Sequence, residues 1–240
     1  MPHTSKKYRK TSNPKGPNRT ILIAVIAVVA IIAVAGGYYV YSSAVHTTTS
    51  TTSTTASTTA TTTTGSSQSG LVYATLDTSQ GSFTVELFQN ETPKTVANFV
   101  NLANEGFYNN LVWHRIVKGF VIQTGDPTTK NAAGNPCNWG SGSSNTTIPF
   151  EYVPSLPNNV GYLGMASTAA GQPGTSQFYI NLANNTSLNG NYAVFGKVIS
   201  GMNVVDAIGN LPVSTSCSGG SPPADPSQAM LISVTIQNSP

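Results

Sequence analysis

Trp113-His114-Arg115-Ile116-Val117-Lys118-Gly119-Phe120-Val121-Ile122-Gln123-Thr124-Gly125-Asp126 is the stretch whose reading decides the fold. It reads as two short strands joined at a tight Lys118-Gly119 bend. Alternation puts Arg115 and Val117 on one face of the first strand, and Val121 and Gln123 on one face of the second. Arg115 is the only arginine after Arg19. A lone arginine beside an aromatic and an amide can hold a peptide carbonyl without acid–base chemistry.

Working outward, residues 71–77 and 82–88 alternate apolar and polar side chains around a Thr78-Ser79-Gln80-Gly81 turn, a hairpin pattern. Thr92-Pro93 looks like a helix N-cap followed by Pro at the first helical position. Val96, Phe99, Val100 and Ala103 form a helical stripe, and Gly106 suits the C-cap. Strand-like runs follow at 161–166, 177–182, 192–199 and 230–236. A short helix over 201–208 carries Met202, Val205 and Ile208 on one face. Two Gly/Ser/Pro-rich loops, 127–147 and 211–227, hold the two cysteines, Cys137 and Cys217. About eight short strands, two helices and Gly-rich turns predict a barrel or sandwich, with the last strand paired to the first.

The flanks point out of the cytoplasm. Residues 1–20 carry six of the chain's eleven basic groups and no acid, while the remainder is 5 − 8 = −3. A basic footprint for nucleic acid is therefore absent from the main domain. Residues 21–45 contain a continuous apolar run of about the length that crosses a bilayer, with tyrosines after it. The reading is a transmembrane anchor with a cytoplasmic N-terminus. A cleaved signal peptide, with Ala33-Val34-Ala35 as its processing site, also fits. Either reading exports the main domain. Residues 46–69 contain thirteen Thr and six Ser, a composition for a solvated linker. Asn90, Asn145, Asn184 and Asn185 head glycosylation sequons. In an oxidising compartment, a Cys137–Cys217 disulfide is expected, with two free thiols as the alternative.

Several chemistries are excluded or weakened. His114 is the only histidine beyond the linker, and neither neighbour, Trp113 or Arg115, is an acid that could orient it as a hydrolase base. No His-Glu-x-x-His, Gly-x-Ser-x-Gly, Walker or Gly-x-Gly-x-x-Gly pattern occurs, and no His/Cys set suits a metal. What remains is Arg115, Gln123, Gln177 and Ser167 among Phe120, Val121, Met165, Ala166, Phe178, Leu188 and Tyr192.

At these residues residues 71–238 resemble the cyclophilin family of peptidyl-prolyl cis–trans isomerases. The matching blocks are the opening stretch with Pro127, then Gly164-Met165-Ala166-Ser167, Gly174-Thr175-Ser176-Gln177-Phe178-Tyr179-Ile180, and Leu188-Asn189-Gly190-Asn191-Tyr192-Ala193-Val194-Phe195-Gly196-Lys197-Val198. The resemblance implies a closed eight-stranded antiparallel barrel capped by two helices, over residues 70–240. It implies Arg115, Gln123 and Phe120 as catalytic residues. Phe120, Met165, Phe178 and Leu188 would form the apolar pocket for the proline ring, with Val121 in one wall, and Tyr192, at a position where the family carries His or Tyr, would also bind substrate. Ala166, Ser167 and Gln177 would line the groove for the residues before it. Val121 replaces a common Met, Ser167 a common Asn, and Ser187 a Trp associated with tight cyclosporin binding, so weak cyclosporin inhibition is expected. The implied partners are proline-containing peptides and unfolded exported proteins. No cofactor or metal is implied, and the expected working unit is a monomer.

Overall fold

The computed structural model describes residues 70–217 and 221–240. The expected tail, anchor and linker, 1–20, 21–45 and 46–69, lie outside the described residues. Among the described residues no helix is long and apolar enough to cross a membrane.

The strands are β1 (Val72–Thr78), β2 (Gly81–Leu87), β3 (Leu111–Val112), β4 (Arg115–Val117), β5 (Val121–Thr124), β6 (Tyr162–Ser167), β7 (Gly174–Asn181), β8 (Val194–Ser200) and β9 (Met230–Gln237). The helices are α1 (Pro93–Asn104) and α2 (Met202–Gly209). One antiparallel sheet runs β3-β9-β1-β2-β8-β6-β7-β5-β4. The expected pairing of last strand with first is present, from Tyr73↔Gln237 to Thr78↔Leu231.

The expected closed eight-stranded barrel is corrected to a curled nine-stranded half-barrel. The added strand is β3, whose Leu111 and Val112 pair with Leu231 and Met230. β3 and β4, the two ends of the sheet, follow each other in the chain through Trp113-His114 with no ladder between them. Both of those side chains turn inward and are buried. Trp113 N–H donates to Ala229 C=O at 2.8 Å, continuing the β3–β9 register, and Ile116 N–H on the outer side of β4 donates to Ser221 C=O at 2.9 Å.

Alternation fills the interior. Phe83, Val85 and Leu87 face inward from β2, and Phe178 and Ile180 from β7. Phe99 of α1 meets Phe178 edge-on with centroids 5.4 Å apart, and Trp113, Tyr108 and Phe195 complete an aromatic cluster around Phe178. Such edge-to-face pairs add to simple area burial. Thr92 occupies the N-cap position of α1 without capping it; its hydroxyl donates to Phe88 C=O. Glu151 caps the helix from across the loop, accepting from Lys94 N–H, Thr95 N–H and the Thr95 hydroxyl. A carboxylate suits the positive end of a helix.

Cys137 and Cys217 are joined as a disulfide, with Cα atoms 5.0 Å apart and a sequence separation of 80. It ties the 127–147 loop to the 211–227 loop. A closed loop of that length stabilises the fold by about 4 kcal/mol in the chain-entropy model.

Candidate active site

Arg115 and Gln123 face each other directly, because β4 and β5 pair in the register Arg115↔Gln123 and Val117↔Val121. The Arg115 guanidinium lies 5.8 Å from the Phe120 ring centroid, within cation–π range. Half-burial pulls its pKa below the ordinary value, and nearby Tyr192 works in the opposite direction. A guanidinium stays charged regardless.

From Arg115 a chain of amides runs to the 127–147 loop. Arg115 Nη1 donates to Gln123 Oε1 at 3.4 Å, a long bond. Gln123 Nε2 donates to Gln177 Oε1 at 2.9 Å. Gln177 Nε2 donates to Gly140 C=O at 3.0 Å and Gly142 C=O at 2.6 Å. The direction of this relay is fixed at both ends. The loop offers carbonyls, which only accept; the guanidinium only donates. Each glutamine must therefore turn its NH₂ toward the loop and its oxygen toward Arg115.

Beside the relay, Gln123, Gln177, Ala166 and Ser167 line a pocket of about 220 Å³, together with Gly140, Ser141 and Gly142 of the loop. The Ser167 hydroxyl is turned to Ala169 C=O.

The apolar expectation needs correction at Phe178; Met165 lines a small cavity with Ser167 and Tyr192. Phe178 and Met165 are cross-strand partners, and both belong to the core cluster, at 0% and 4% exposure. Adjacent strand residues point to opposite faces, so Phe178 cannot share a face with Gln177. The aromatic on that face is Tyr179, two residues from Gln177. It was missed in the sequence, although the same alternation points to it. Its ring lies directly over Gly164, where any Cβ would collide with it. Tyr192 meets it edge-on at 6.0 Å. Val121 and Tyr179 are buried but lie outside the core cluster. Leu188 is half-buried in the Thr186–Leu188 turn.

A second set of polar side chains backs this wall. Burial pushes the Tyr179 phenol pKa up, with Tyr192 adding to it. The protonated phenol donates to Asn158 Oδ1 at 2.7 Å. Asn158 Oδ1 also accepts from Asn181 Nδ2, and Asn181 Oδ1 accepts from Asn185 Nδ2 at 2.7 Å. Asn185 Nδ2 reaches Phe120 C=O at 2.8 Å, which pins the tip of the β4–β5 turn. Asn189 Oδ1 accepts from Asn158 N–H and ties in the turn carrying Leu188. That engagement also bears on the sequons: the Asn185 amide is buried and occupied.

His114 is buried, and neither of its ring nitrogens has a hydrogen-bond partner. Burial lowers its pKa to about 4, against a smaller opposing pull from Asp126. It is neutral at physiological pH. No group of three or more His, Cys, Asp or Glu that could hold a metal occurs among the described residues.

Three comparisons relate the chain to known proteins. Residues 73–235 match the family described as cyclophilin type peptidyl-prolyl cis-trans isomerase/CLD. The chain is 42% identical to peptidyl-prolyl cis-trans isomerase-like 1 of Aspergillus fumigatus over 134 residues, covering 55% of this chain and 79% of that protein. It is 37% identical to a peptidyl-prolyl cis-trans isomerase of Acinetobacter baylyi over 168 residues, covering 68% and 84%. A crystal structure of a Cryptosporidium parvum cyclophilin-type isomerase superposes with a TM-score of 0.62 at 30% identity, over 71% of this chain and 99% of that one. With the family match spanning well over half its length, the chain belongs to the cyclophilin-type peptidyl-prolyl cis–trans isomerases.

Proposed function

We propose that this isomerase is tethered to a membrane and acts outside the cytoplasm, accelerating X–Pro isomerisation in exported proteins, with Arg115 as the group that lowers the barrier. Amide resonance sets that barrier at about 18–20 kcal/mol. Twisting the bond localises the nitrogen lone pair, and a donor aimed there stabilises the twisted state more than either planar isomer. Catalysis is then differential binding, with no proton transfer and no covalent intermediate. Arg115 supplies the donor, Gln123 holds both Arg115 and the substrate backbone, and Phe120, Val121, Tyr179, Leu188 and Tyr192 enclose the proline ring. The 220 Å³ pocket takes a side chain preceding the proline.

The observation that carries this reading is the polarity-fixed relay from Gly140 and Gly142 to Arg115. A protease-coupled proline-peptide assay on the full chain tests it. Turnover by wild type with loss in Arg115→Ala is expected; equal turnover by both removes Arg115 from the mechanism. Export rests on the 21–45 apolar run and gains support from the Cys137–Cys217 bond, which persists in oxidising compartments. Protease added to intact cells should digest the isomerase domain of a membrane-bound protein; full protection would sink the topology.

A further inference from the structure

We infer that Asp126 is a positioning residue for Arg115, acting through the loop that ends the glutamine relay; the inference rests on the role proposed for Arg115. Asp126 is buried, at 0% exposure. Its Oδ2 accepts from Gly140 N–H at 2.6 Å and Gly142 N–H at 3.2 Å. Its Oδ1 accepts from Thr128 N–H and the Thr128 hydroxyl at 2.8 and 2.7 Å. Gly140 and Gly142 are the two residues whose carbonyls hold Gln177. One carboxylate oxygen thus fixes the backbone that orients Gln177, and through it Gln123 and Arg115. Gly142 must be glycine for this, because a Cβ there would fall on Asp126 Oδ1. Burial works to raise the Asp126 pKa, but the bonds from Thr128, Gly142 and Gly140 outweigh it and the net shift is down.

A carboxylate is the side chain that can do this. All four groups facing it are donors, so an acceptor-only group satisfies every one. An amide in its place would turn an NH₂ toward a donor and push part of the loop away.

The chain contains its own control. Asp225-Pro226-Ser227 repeats the local pattern of Asp126-Pro127-Thr128, with Asp225 accepting from Ser227 N–H at 3.0 Å and the Ser227 hydroxyl at 2.7 Å. Asp225 caps its turn but reaches no catalytic residue. If Asp126 were only a turn cap, Asp126→Asn and Asp225→Asn would behave alike.

The experiment compares both variants in the full chain by kcat and KM on a proline peptide, normalised to folded protein. Asp126→Asn should lower kcat about tenfold or more with KM changed by less than about twofold, since a small misplacement of a catalytic group costs rate more than binding. Asp225→Asn should change neither. The Arg115 guanidinium ¹⁵N signals should broaden or shift in Asp126→Asn alone. Equal kcat values in the two variants overturn the inference. Should Asp126→Asn fail to fold, Thr128→Val removes one donor from the carboxylate and should lower kcat about threefold; unchanged kcat there also overturns it. Arg115→Ala at wild-type turnover would remove the role beneath the inference. Loss in Arg115→Ala beside an unaffected Asp126→Asn would remove only the relay.

Discussion

The two halves of the site are held in opposite ways. Arg115 is positioned by a line of amides that begins at a loop, and the loop is secured by a buried carboxylate and a disulfide to a segment 80 residues away. The ring-facing wall is positioned by Asn158, Asn181 and Asn185, which bond to one another and reach the Tyr179 phenol and the Phe120 carbonyl. The difference follows from what each half must present. A half-exposed cation needs a direction, and a directional chain must start from a group of fixed polarity. An apolar wall needs only shape, and its network serves mainly to satisfy buried carbonyls and a phenol. The relay half should therefore govern kcat, and the asparagine half KM and stability.

Removing the disulfide is the largest perturbation. Cys137→Ser with Cys217→Ser should cost about 4 kcal/mol of stability in the chain-entropy model, read by denaturant unfolding. The folded fraction should show reduced kcat and unchanged KM, because the loop's carbonyls end the relay. A raised KM with normal kcat would place the loop in the wrong half.

Arg115→Ala comes next. Loss of one charge-stabilising donor lowers kcat/KM by about 10²–10³, as for oxyanion-hole donors. The unfolding midpoint should stay put, since the side chain is half-exposed and its only hydrogen bond among the described residues is long.

His114 gives the relay half a pH signature. Its folded pKa is about 4, below the unfolded value of about 6.5. Between these values the unfolded chain binds a proton that the folded chain does not. Stability is therefore full above about pH 6.5 and falls as pH drops toward 4, by about 1.4 kcal/mol per unit. His114→Phe should flatten that slope. Asp126 acts in a lower window: its depressed pKa gives stability that is present above the ordinary carboxylate value and lost as pH falls through the folded one.

Asn181→Leu attacks the other half. Asn181 is fully buried, and its amide serves Tyr162 C=O and Asn158 while its oxygen accepts from Asn185. An isosteric apolar replacement leaves those groups short of partners and should cost about 2 kcal/mol. KM should rise with kcat held. A fall in kcat alone would merge the two halves into one network.

How much of this was legible in the sequence differs between the halves. Arg115, Gln123 and Gln177 were found because alternation and the family blocks agree, and the structure brings them into one line. Gly140, Gly142 and Asp126 were not, since a loop's carbonyl directions leave no pattern in side-chain types. The asparagines were hidden by composition: in an Asn-rich chain, the buried ones look like loop residues and sequons. Strand β3 was missed because two residues carry no period, and with it went the count and closure of the sheet. Phe178 was misplaced by reading a motif as a block where the strand's two-residue period assigns neighbours to opposite faces.

The smallest effect tests that last correction. Tyr179→Phe keeps the ring over Gly164 and against Tyr192 but removes the donor to Asn158 Oδ1. Asn158 Oδ1 retains Asn181 Nδ2 at 3.3 Å, so the loss should be about 1 kcal/mol. If the ring forms the pocket wall and the hydroxyl only anchors it, KM rises modestly and kcat is unchanged. Phe178→Leu makes the contrast. Phe178 contacts four aromatic rings and no solvent, so its replacement should lower stability and leave the KM of the folded protein alone. The reverse pattern, with KM tracking Phe178 and ignoring Tyr179, would return Phe178 to the pocket and require the strand to present both faces to one substrate.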